Sequence, residues 1–183
     1  MKPSTYSVIY ADPPWKYHGG RLHKEHYPRM SLDALCEMDD YVKSISARDC
    51  LLFLWVTGPK IPDALTLLRA WGFEYVTVAF VWNKHAPIPG AYTMSQTEQC
   101  WVGKRRGGTM PQRAAHELQY LGEHRREHSQ KPDEIRDRIA RMFPAEPKIE
   151  LFARSRHQGW DAHGNEVGKF SAPESEPASD LTQ

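Results

Sequence analysis

Short apolar runs alternate with segments of helical spacing along the chain and predict an α/β sheet. The run at 7–11 is rich in β-forming residues and stops at two consecutive prolines, which cannot donate to a ladder. The run at 50–56 is apolar throughout, which is typical of a parallel strand covered on both faces. Apolar positions in 62–71 share one helix face, and another strand-like run follows at 75–82. This order predicts a mainly parallel sheet with helices on both faces and right-handed crossovers.

Capping signals predict where several helices begin and end. Ser31 is a candidate N-cap for the helix that follows it. Gly72 is placed to end the helix at 62–71 in a left-handed conformation. Proline and acidic residues in 131–134 indicate another helix start, and 148–152 is the final predicted strand.

The stretch 84–127 lacks a regular pattern. Glycine and proline are frequent there, and only 99–102 resembles a strand. Long irregular segments in compact domains are commonly functional, so we expect an insert within one domain over 1–169. The tail at 170–183 is rich in Ser, Pro and Glu and is predicted to be disordered.

The charge balance excludes a globally basic coat for nucleic acid. Lys and Arg total 24 against 23 Asp and Glu, a formal net charge of +1. Any contact with nucleic acid must therefore come from a local patch. Hydrophobic residues make up 40% of the 183 residues, which is enough to build a core.

The cysteines and the N-terminal residues indicate a compartment. Cys36, Cys50 and Cys100 form an odd, widely spaced set, which favours small core residues in a reducing compartment over a disulfide framework. Residues 1–6 are polar, unlike a signal peptide, and no stretch approaches the ~18 apolar residues of a membrane helix. We therefore expect a cytoplasmic protein that does not bind membranes.

The sharpest chemical signal is Asp12-Pro13-Pro14-Trp15, directly after the first predicted strand. Ligands of open α/β sheets bind beyond the carboxyl ends of the strands. The Asp12 carboxylate and the Pro13 carbonyl could both accept hydrogen bonds from one planar amino group, and Trp15 offers a flat face for a base. The pattern suits a primary amine on an aromatic ring whose lone pair faces an electrophile. An acidic turn with a core tryptophan is the purely structural alternative.

This motif resembles the signature of the DPPW-type adenine-N6 methyltransferases. That family includes the catalytic subunit of the eukaryotic mRNA adenosine methyltransferase and bacterial and phage DNA adenine methyltransferases. The resemblance covers about 6–167, and its blocks occur in family order at 12–15, 52–58, 71–74, 98–103, 131–134, 148–154 and 159–166. It implies a permuted Rossmann-like methyltransferase fold over 1–169, because the tetrapeptide precedes the cofactor-binding end.

The resemblance also implies roles for individual residues. Asp12 and Pro13 would hold the N6 amino group of the target adenine, and Pro14 and Trp15 would shape the pocket. S-adenosylmethionine is the implied donor in a direct in-line transfer, with Lys131 at its carboxylate. The implied cofactor-binding residues are Ser129, Lys131, Arg154, Arg156, His157, Asn165 and Glu166.

DNA is the expected substrate of a bacterial or phage enzyme. Lys104, Arg105 and Arg106 lie in the insert, which would recognise the target, and we expect them to contact phosphates unless they form a solvated loop. Tyr27 and Lys84 are expected to rim the target pocket, although ordinary packing explains them equally well. RNA is the alternative substrate, and a non-catalytic nucleic-acid-binding member is the alternative function. The intact tetrapeptide favours an enzyme over the non-catalytic alternative. For the oligomeric state, a monomer and a homodimer are both open.

A zinc site is a rival interpretation of the segment 124–128. Its sequence matches the inverted peptidase motif H-x-x-E-H, in which two histidines one helical turn apart bind zinc. Arg125 and Arg126 are poor neighbours for a dication, and the sequence offers no evident third ligand. We therefore expect no metal.

Overall fold

The computed structural model describes residues 4–17, 29–126 and 130–164. Strands and helices alternate for much of this length. In chain order they are β1 (Tyr6–Ala11), α1 (Leu32–Cys36), α2 (Asp39–Ile45), β2 (Ser46–Val56), α3 (Ile61–Ala70), β3 (Phe73–Pro89), β4 (Met94–Arg105), β5 (Tyr120–Gly122), α4 (Asp133–Met142), β6 (Lys148–Leu151) and β7 (Asp161–His163).

The strands form one mixed sheet in the order β5-β3-β4-β2-β1-β6-β7. β1 pairs in parallel with β2 and β6, and the outer pairs β3–β5 and β6–β7 are also parallel. β4 is antiparallel to both of its neighbours, β2 and β3. The α/β class and the mainly parallel sheet are thus confirmed, with one strand reversed between two that run alike.

Alternate residues of the central strands supply two separate hydrophobic layers. Ile9 and Ala11 of β1 pack with buried residues of α1, α2 and α3. Val8 and Tyr10 face the other side, where they pack with the buried stripe of α4. Helices therefore cover both faces, which explains why β2 is apolar without alternation. Trp71 belongs to the first layer and is buried.

The capping signals are confirmed. The Ser31 hydroxyl accepts a hydrogen bond from the Ala34 backbone N–H at 3.2 Å. Gly72 follows α3 with a φ of +82°, a left-handed conformation that glycine adopts without strain. Pro132 is the N-cap of α4, and the first turn begins with two acidic residues, Asp133 and Glu134.

The prediction that 84–127 is irregular is wrong for the first half of this stretch. Residues 84–89 continue β3 and 94–105 form β4, so the two strands make a long hairpin. The sequence pattern fails there because the hairpin is exposed on both faces beyond the sheet, and no apolar alternation is needed. Segment 106–119 holds no helix or strand, while β5 and β7 are too short to leave a periodic signal.

The remaining predictions concern the cysteines, membrane-spanning helices and the C-terminal tail. The three cysteines are free, with Cys50 and Cys100 buried as expected of core residues. No helix among the described residues is long and apolar enough to cross a membrane. The tail predicted at 170–183 lies outside the described residues.

Candidate active site

The Asp-Pro-Pro-Trp corner begins where the central strand β1 ends. Asp12 directly follows β1, next to the ends of β2 and β6 at the carboxyl edge of the parallel strands. The Pro13 carbonyl accepts a hydrogen bond from the Trp15 backbone N–H at 2.8 Å, and the Pro14 carbonyl accepts one from Met30 at 2.9 Å. The corner is therefore stiffened by two prolines and two backbone hydrogen bonds.

Four charged side chains form a continuous network at this edge. The Lys131 ammonium lies 2.8 Å from Asp12 Oδ2 and 3.3 Å from Glu98 Oε2. The other oxygen of Glu98 lies 3.0 Å from the Lys84 ammonium. Lys131 also lies over the ring of Trp55, with its nitrogen 5.4 Å from the ring centroid. Each acid is thus held by a base, as buried charges require.

Strand alternation explains why these side chains meet. Cys100 and Val102 of β4 face the α4 layer, and Glu98 continues that face to the end of the sheet. Trp82 faces the same layer from β3, and Lys84 follows it by two residues. Because side chains two apart point the same way along a strand, the charged network lies on the α4 side.

Burial and pairing shift the pKa of each group in opposite ways. Burial raises the pKa of the Asp12 carboxyl above its ordinary value, although the Lys131 ammonium opposes this. Burial alone would raise the pKa of the Glu98 carboxyl as well. The positive charges of Lys131 and Lys84 outweigh burial there, so the pKa of Glu98 is lowered. For Lys131, burial would lower the pKa, but Asp12 and Glu98 outweigh it and raise it. Lys131 is therefore a permanent cation at neutral pH.

Two clefts meet at Asp12 and Lys131, and both residues line both clefts. The first, which we call the α4 cleft, is lined by charged and polar groups beside a few rings. Its other lining residues are Tyr10, Gln130, Asp133, Arg136, Glu150, Phe152, Arg154 and Ser155. The second, which we call the tryptophan cleft, has aromatic walls. Its other lining residues are Pro13, Trp15, Tyr17, Trp55, Val56, Thr57 and Glu98.

The α4 cleft is organised by one buried arginine. Arg136 on α4 donates to Glu150 Oε2 at 2.9 Å and to Asp133 Oδ1 at 2.9 Å. These bonds fix both carboxylates in the wall of the cleft. Tyr10 is held from behind, because its hydroxyl accepts a 2.6 Å hydrogen bond from the Trp55 indole. The polar lining is thus pre-positioned by protein contacts.

The tryptophan cleft corrects one expectation about Trp15. Its side chain is packed in the core and the residue is only 6% exposed. The indole N–H donates to the Trp55 carbonyl at 3.2 Å. Trp15 therefore contributes a wall of the cleft rather than an open face on which a base could stack. Tyr17, whose hydroxyl lies 2.8 Å from Thr57 Oγ1, is the exposed ring at this mouth.

The structure brings together some of the predicted cofactor residues. Lys131 and Arg154 both line the α4 cleft. Arg156 is exposed and His157 is bonded to Ser155, and neither is part of the cleft lining. Burial, then the charge of Arg136, lowers the pKa of His157. The remaining predicted residues lie outside the described ranges, and they are Tyr27, Ser129, Asn165 and Glu166.

The basic residues 104–106 lie away from Asp12, toward the opposite end of the sheet. Lys104 pairs with Leu51 in the middle of β2, whereas Gln99 pairs with Val56 at its end. Arg105 donates to the backbone carbonyls of residues 43, 46 and 47. Arg106 lies 3.4 Å from the Glu74 carboxylate. Arg105 therefore ties α2 to the sheet, and a phosphate contact of these residues would lie away from the two clefts.

Sequence reasoning assigned no role to several residues of the site. Glu98 was visible only as part of a strand, although its spacing of two from Cys100 would have placed it on a buried face. Arg136 and Glu150 left no signal, because a single charge in a helix or strand is ordinary. For the zinc alternative, the described residues contain no cluster of three metal-binding side chains, and part of the segment 124–128 is outside them.

The carboxyl edge of the sheet thus holds an acidic corner between a polar cleft and an aromatic cleft, at the place where open α/β sheets bind ligands. Comparisons with known proteins identify the family. A family model described as MT-A70 matches residues 6–166. The chain therefore belongs to the MT-A70 family.

The similar proteins come from bacteria and eukaryotes. The type II methyltransferase M.MunI of Mycoplasma sp is 44% identical over 184 residues, covering 88% of this chain and 78% of that protein. The catalytic subunit METTL3 of the Homo sapiens N(6)-adenosine-methyltransferase is 29% identical over 176 residues, covering 88% of this chain and 28% of that protein. An MT-A70-like N(6)-adenosine-methyltransferase of Arabidopsis thaliana is 29% identical, with 24% of its length covered. The chain thus spans most of M.MunI but only about a quarter of the eukaryotic proteins.

Proposed function

We propose that this protein transfers a methyl group from S-adenosylmethionine to the N6 amino group of adenine in DNA. The observation that carries the proposal is the meeting of two chemically different clefts at Asp12 and Lys131. A transfer enzyme must hold a donor and an acceptor against each other in line. The polar α4 cleft suits the donor, and the aromatic tryptophan cleft suits a planar base.

The lining of the α4 cleft offers polar groups that complement S-adenosylmethionine. Asp133 and Glu150 offer carboxylate oxygens to a ribose diol, and Lys131 and Arg154 offer positive charge to a carboxylate. S-adenosylmethionine carries no phosphate group. A site built from side chains, rather than from a glycine-rich phosphate-binding loop, therefore suits it. When bound there, it supplies a methyl group activated by a sulfonium.

The chain's own groups then hold and deprotonate the amine. In our proposal the N6 amino group donates to an Asp12 oxygen and to the Pro13 carbonyl, with its lone pair directed toward the α4 cleft. Lys131 holds Asp12 Oδ2 and keeps the carboxylate ionised. After transfer, the nitrogen must lose one proton, and Asp12, with its pKa raised by burial, is the nearest acceptor.

DNA is supported over RNA by the extent of the similarity. The chain spans 78% of M.MunI, named as a type II methyltransferase, at 44% identity. The relatives named for adenosine are 28–30% identical and are covered over 23–28% of their length. RNA is the second candidate because those names specify adenosine.

Methyl transfer to DNA and RNA strands of matched sequence tests the proposal. After incubation with labelled S-adenosylmethionine, the strands are digested and their nucleosides separated by mass spectrometry. We expect N6-methyldeoxyadenosine from DNA and less product from RNA. The Lys104→Ala variant, altered at the far end of the sheet, is the matched control and should retain the activity. Label on another base, or product only from RNA, would reject the DNA assignment.

A further inference from the structure

The β3–β4 hairpin extends beyond the end of β2 at the edge of the sheet that carries both clefts. The last β2–β4 pair joins Val56 to Gln99, whereas β3 and β4 remain paired as far as Pro89 and Met94. Glu98 lies at the base of this extension and also lines the tryptophan cleft. The hairpin therefore rises from the wall of that cleft.

The tip of the hairpin is uncharged and exposed. No charged residue occurs in 86–97, and every residue of 87–97 is exposed. The tip carries three large apolar side chains, Ile88, Met94 and Tyr92, which are 43%, 58% and 99% exposed. Such a surface does not suit phosphate oxygens, and it suits a partner that removes it from water.

The turn orders the backbone on both sides of Tyr92. The Gly90 N–H donates to the Thr93 carbonyl at 2.9 Å, which closes the hairpin. A Cβ added at Gly90 would lie 2.7 Å from that carbonyl oxygen, so only glycine fits. Because the backbone is already ordered, Tyr92 can enter a binding site with little loss of conformational entropy. At ~3.4 Å per residue, the strand carries Tyr92 up to about 20 Å above Glu98.

We propose that Tyr92 enters the DNA base stack beside the target adenine and fills the gap that remains when that base rotates into the tryptophan cleft. The inference depends on the proposed function, because a base inside a duplex cannot reach Asp12 without leaving the stack. An inserted apolar or aromatic side chain props the separated step open. The Tyr92 ring restores part of the stacking that the departing base removes.

The position of the tip favours DNA over a second copy of this chain as its partner. A duplex that delivers adenine to the tryptophan cleft must pass over its rim, and the hairpin grows from that rim. A second copy would bury the same apolar side chains without needing them near the cleft.

Kinetics on paired and unpaired substrates test this role. Tyr92→Ala is assayed on a duplex with a paired target adenine and on a single strand of the same sequence. We expect kcat/KM on the duplex to fall about 5- to 100-fold, the range of one lost stacking contact, with less than about a twofold change on the single strand. Tyr92→Phe keeps the ring and should behave as the wild type. Leu118→Ala removes another large apolar side chain, 77% exposed and outside the hairpin, and should affect neither substrate.

A binding measurement gives a second readout. With 2-aminopurine at the target position of the duplex, fluorescence should rise on addition of wild type or Tyr92→Phe and rise much less with Tyr92→Ala. Equal loss on both substrates, no loss on either, or an unchanged fluorescence response would overturn the inference. So would a change of oligomeric state in Tyr92→Ala by light scattering, which would assign the tip to a second copy. If wild type transfers no methyl to either substrate, the proposed function itself fails.

Discussion

The two ends of the sheet use similar charged residues for different purposes. At the carboxyl edge, Lys131 lies between the carboxylates of Asp12 and Glu98 and lines two clefts. At the opposite end, Arg105 donates to three backbone carbonyls around the end of α2. Arg106 is paired with a carboxylate on the exposed surface.

This difference shows that position relative to the strand ends decides the role of a basic residue. At the carboxyl edge, the strands stop and leave open clefts, so a buried cation can face a ligand. At the other end, the chain folds back to start each strand, and Arg105 satisfies part-buried carbonyls there. The charge of a residue therefore indicates little until its place along the strand is known.

The largest expected effect comes from the carboxyl edge. Asp12→Ala should reduce methyl transfer at least about 1,000-fold, because it removes the acceptor that orients the reacting amine. The fold should persist with a modest fall in the thermal midpoint, because Lys131 loses one carboxylate partner and keeps Glu98. Single-turnover assays beside thermal melts measure both quantities. Substantial activity in a folded Asp12→Ala protein would contradict the role given to this carboxylate.

Lys131 should show a smaller loss with a different signature. Lys131→Met should weaken binding of S-adenosylhomocysteine by about 10- to 100-fold, the value of one or two charge-assisted contacts. Calorimetry without nucleic acid measures this directly. Lys131→Arg keeps the charge and should retain part of the affinity. Unchanged binding in the methionine variant would remove Lys131 from the donor site.

The pH profile provides a third comparison. Burial raises the folded pKa of Asp12 above its ordinary value, and the ionised form is the active one. Activity should therefore fall as pH decreases through this raised pKa. Removing the Lys131 ammonium should move the acidic limb to higher pH, because the ion pair that favours the carboxylate is lost. Lys104→Met is the control, and a limb that fails to move in Lys131→Met would contradict the coupling.

At the far end, Arg105→Ala should affect stability and leave the chemistry intact. Loss of its hydrogen bonds to buried or half-buried carbonyls should lower the free energy of unfolding by about 1–3 kcal/mol. Methyl transfer at a temperature well below the melting midpoint should stay within about twofold of wild type, since the clefts are remote. Urea denaturation and steady-state assays check the two halves. A strong kinetic defect with unchanged stability would reverse this assignment.

The smallest effect is expected from the exposed pair at the same end. Lys104→Ala combined with Arg106→Ala should change stability by less than about 0.5 kcal/mol, because surface ion pairs contribute little. The salt dependence of DNA binding should keep its slope. A flatter slope in this double variant would show that DNA also contacts the far end, and our comparison of the two ends would need revision.

Much of the fold was predictable because its signals are local. The proline pair after β1, the cap at Ser31 and the left-handed Gly72 each act within a few residues. The reversed strand β4 was not predictable, since its pairing with β2 joins residues far apart in sequence. The hairpin escaped prediction because its exposed strands need no apolar alternation.

The site was predictable only in part, for a related reason. Asp12 and Lys131 carry motif signals, and the structure places them 2.8 Å apart. Glu98 joins them only through the register of β4 against β2, which no local pattern encodes. The same register places 104–106 toward the other end of the sheet. One strand pairing therefore explains both why Glu98 was missed and why the basic residues lie far from the clefts.

A crystal structure of the protein with S-adenosylhomocysteine and adenosine tests the central claim most directly. We predict the thioether in the α4 cleft, the adenine in the tryptophan cleft, and its N6 nitrogen within about 3 Å of an Asp12 oxygen. Either ligand bound away from the Asp12–Lys131 boundary, or an adenine turned so that N6 faces away from Asp12, would contradict the account.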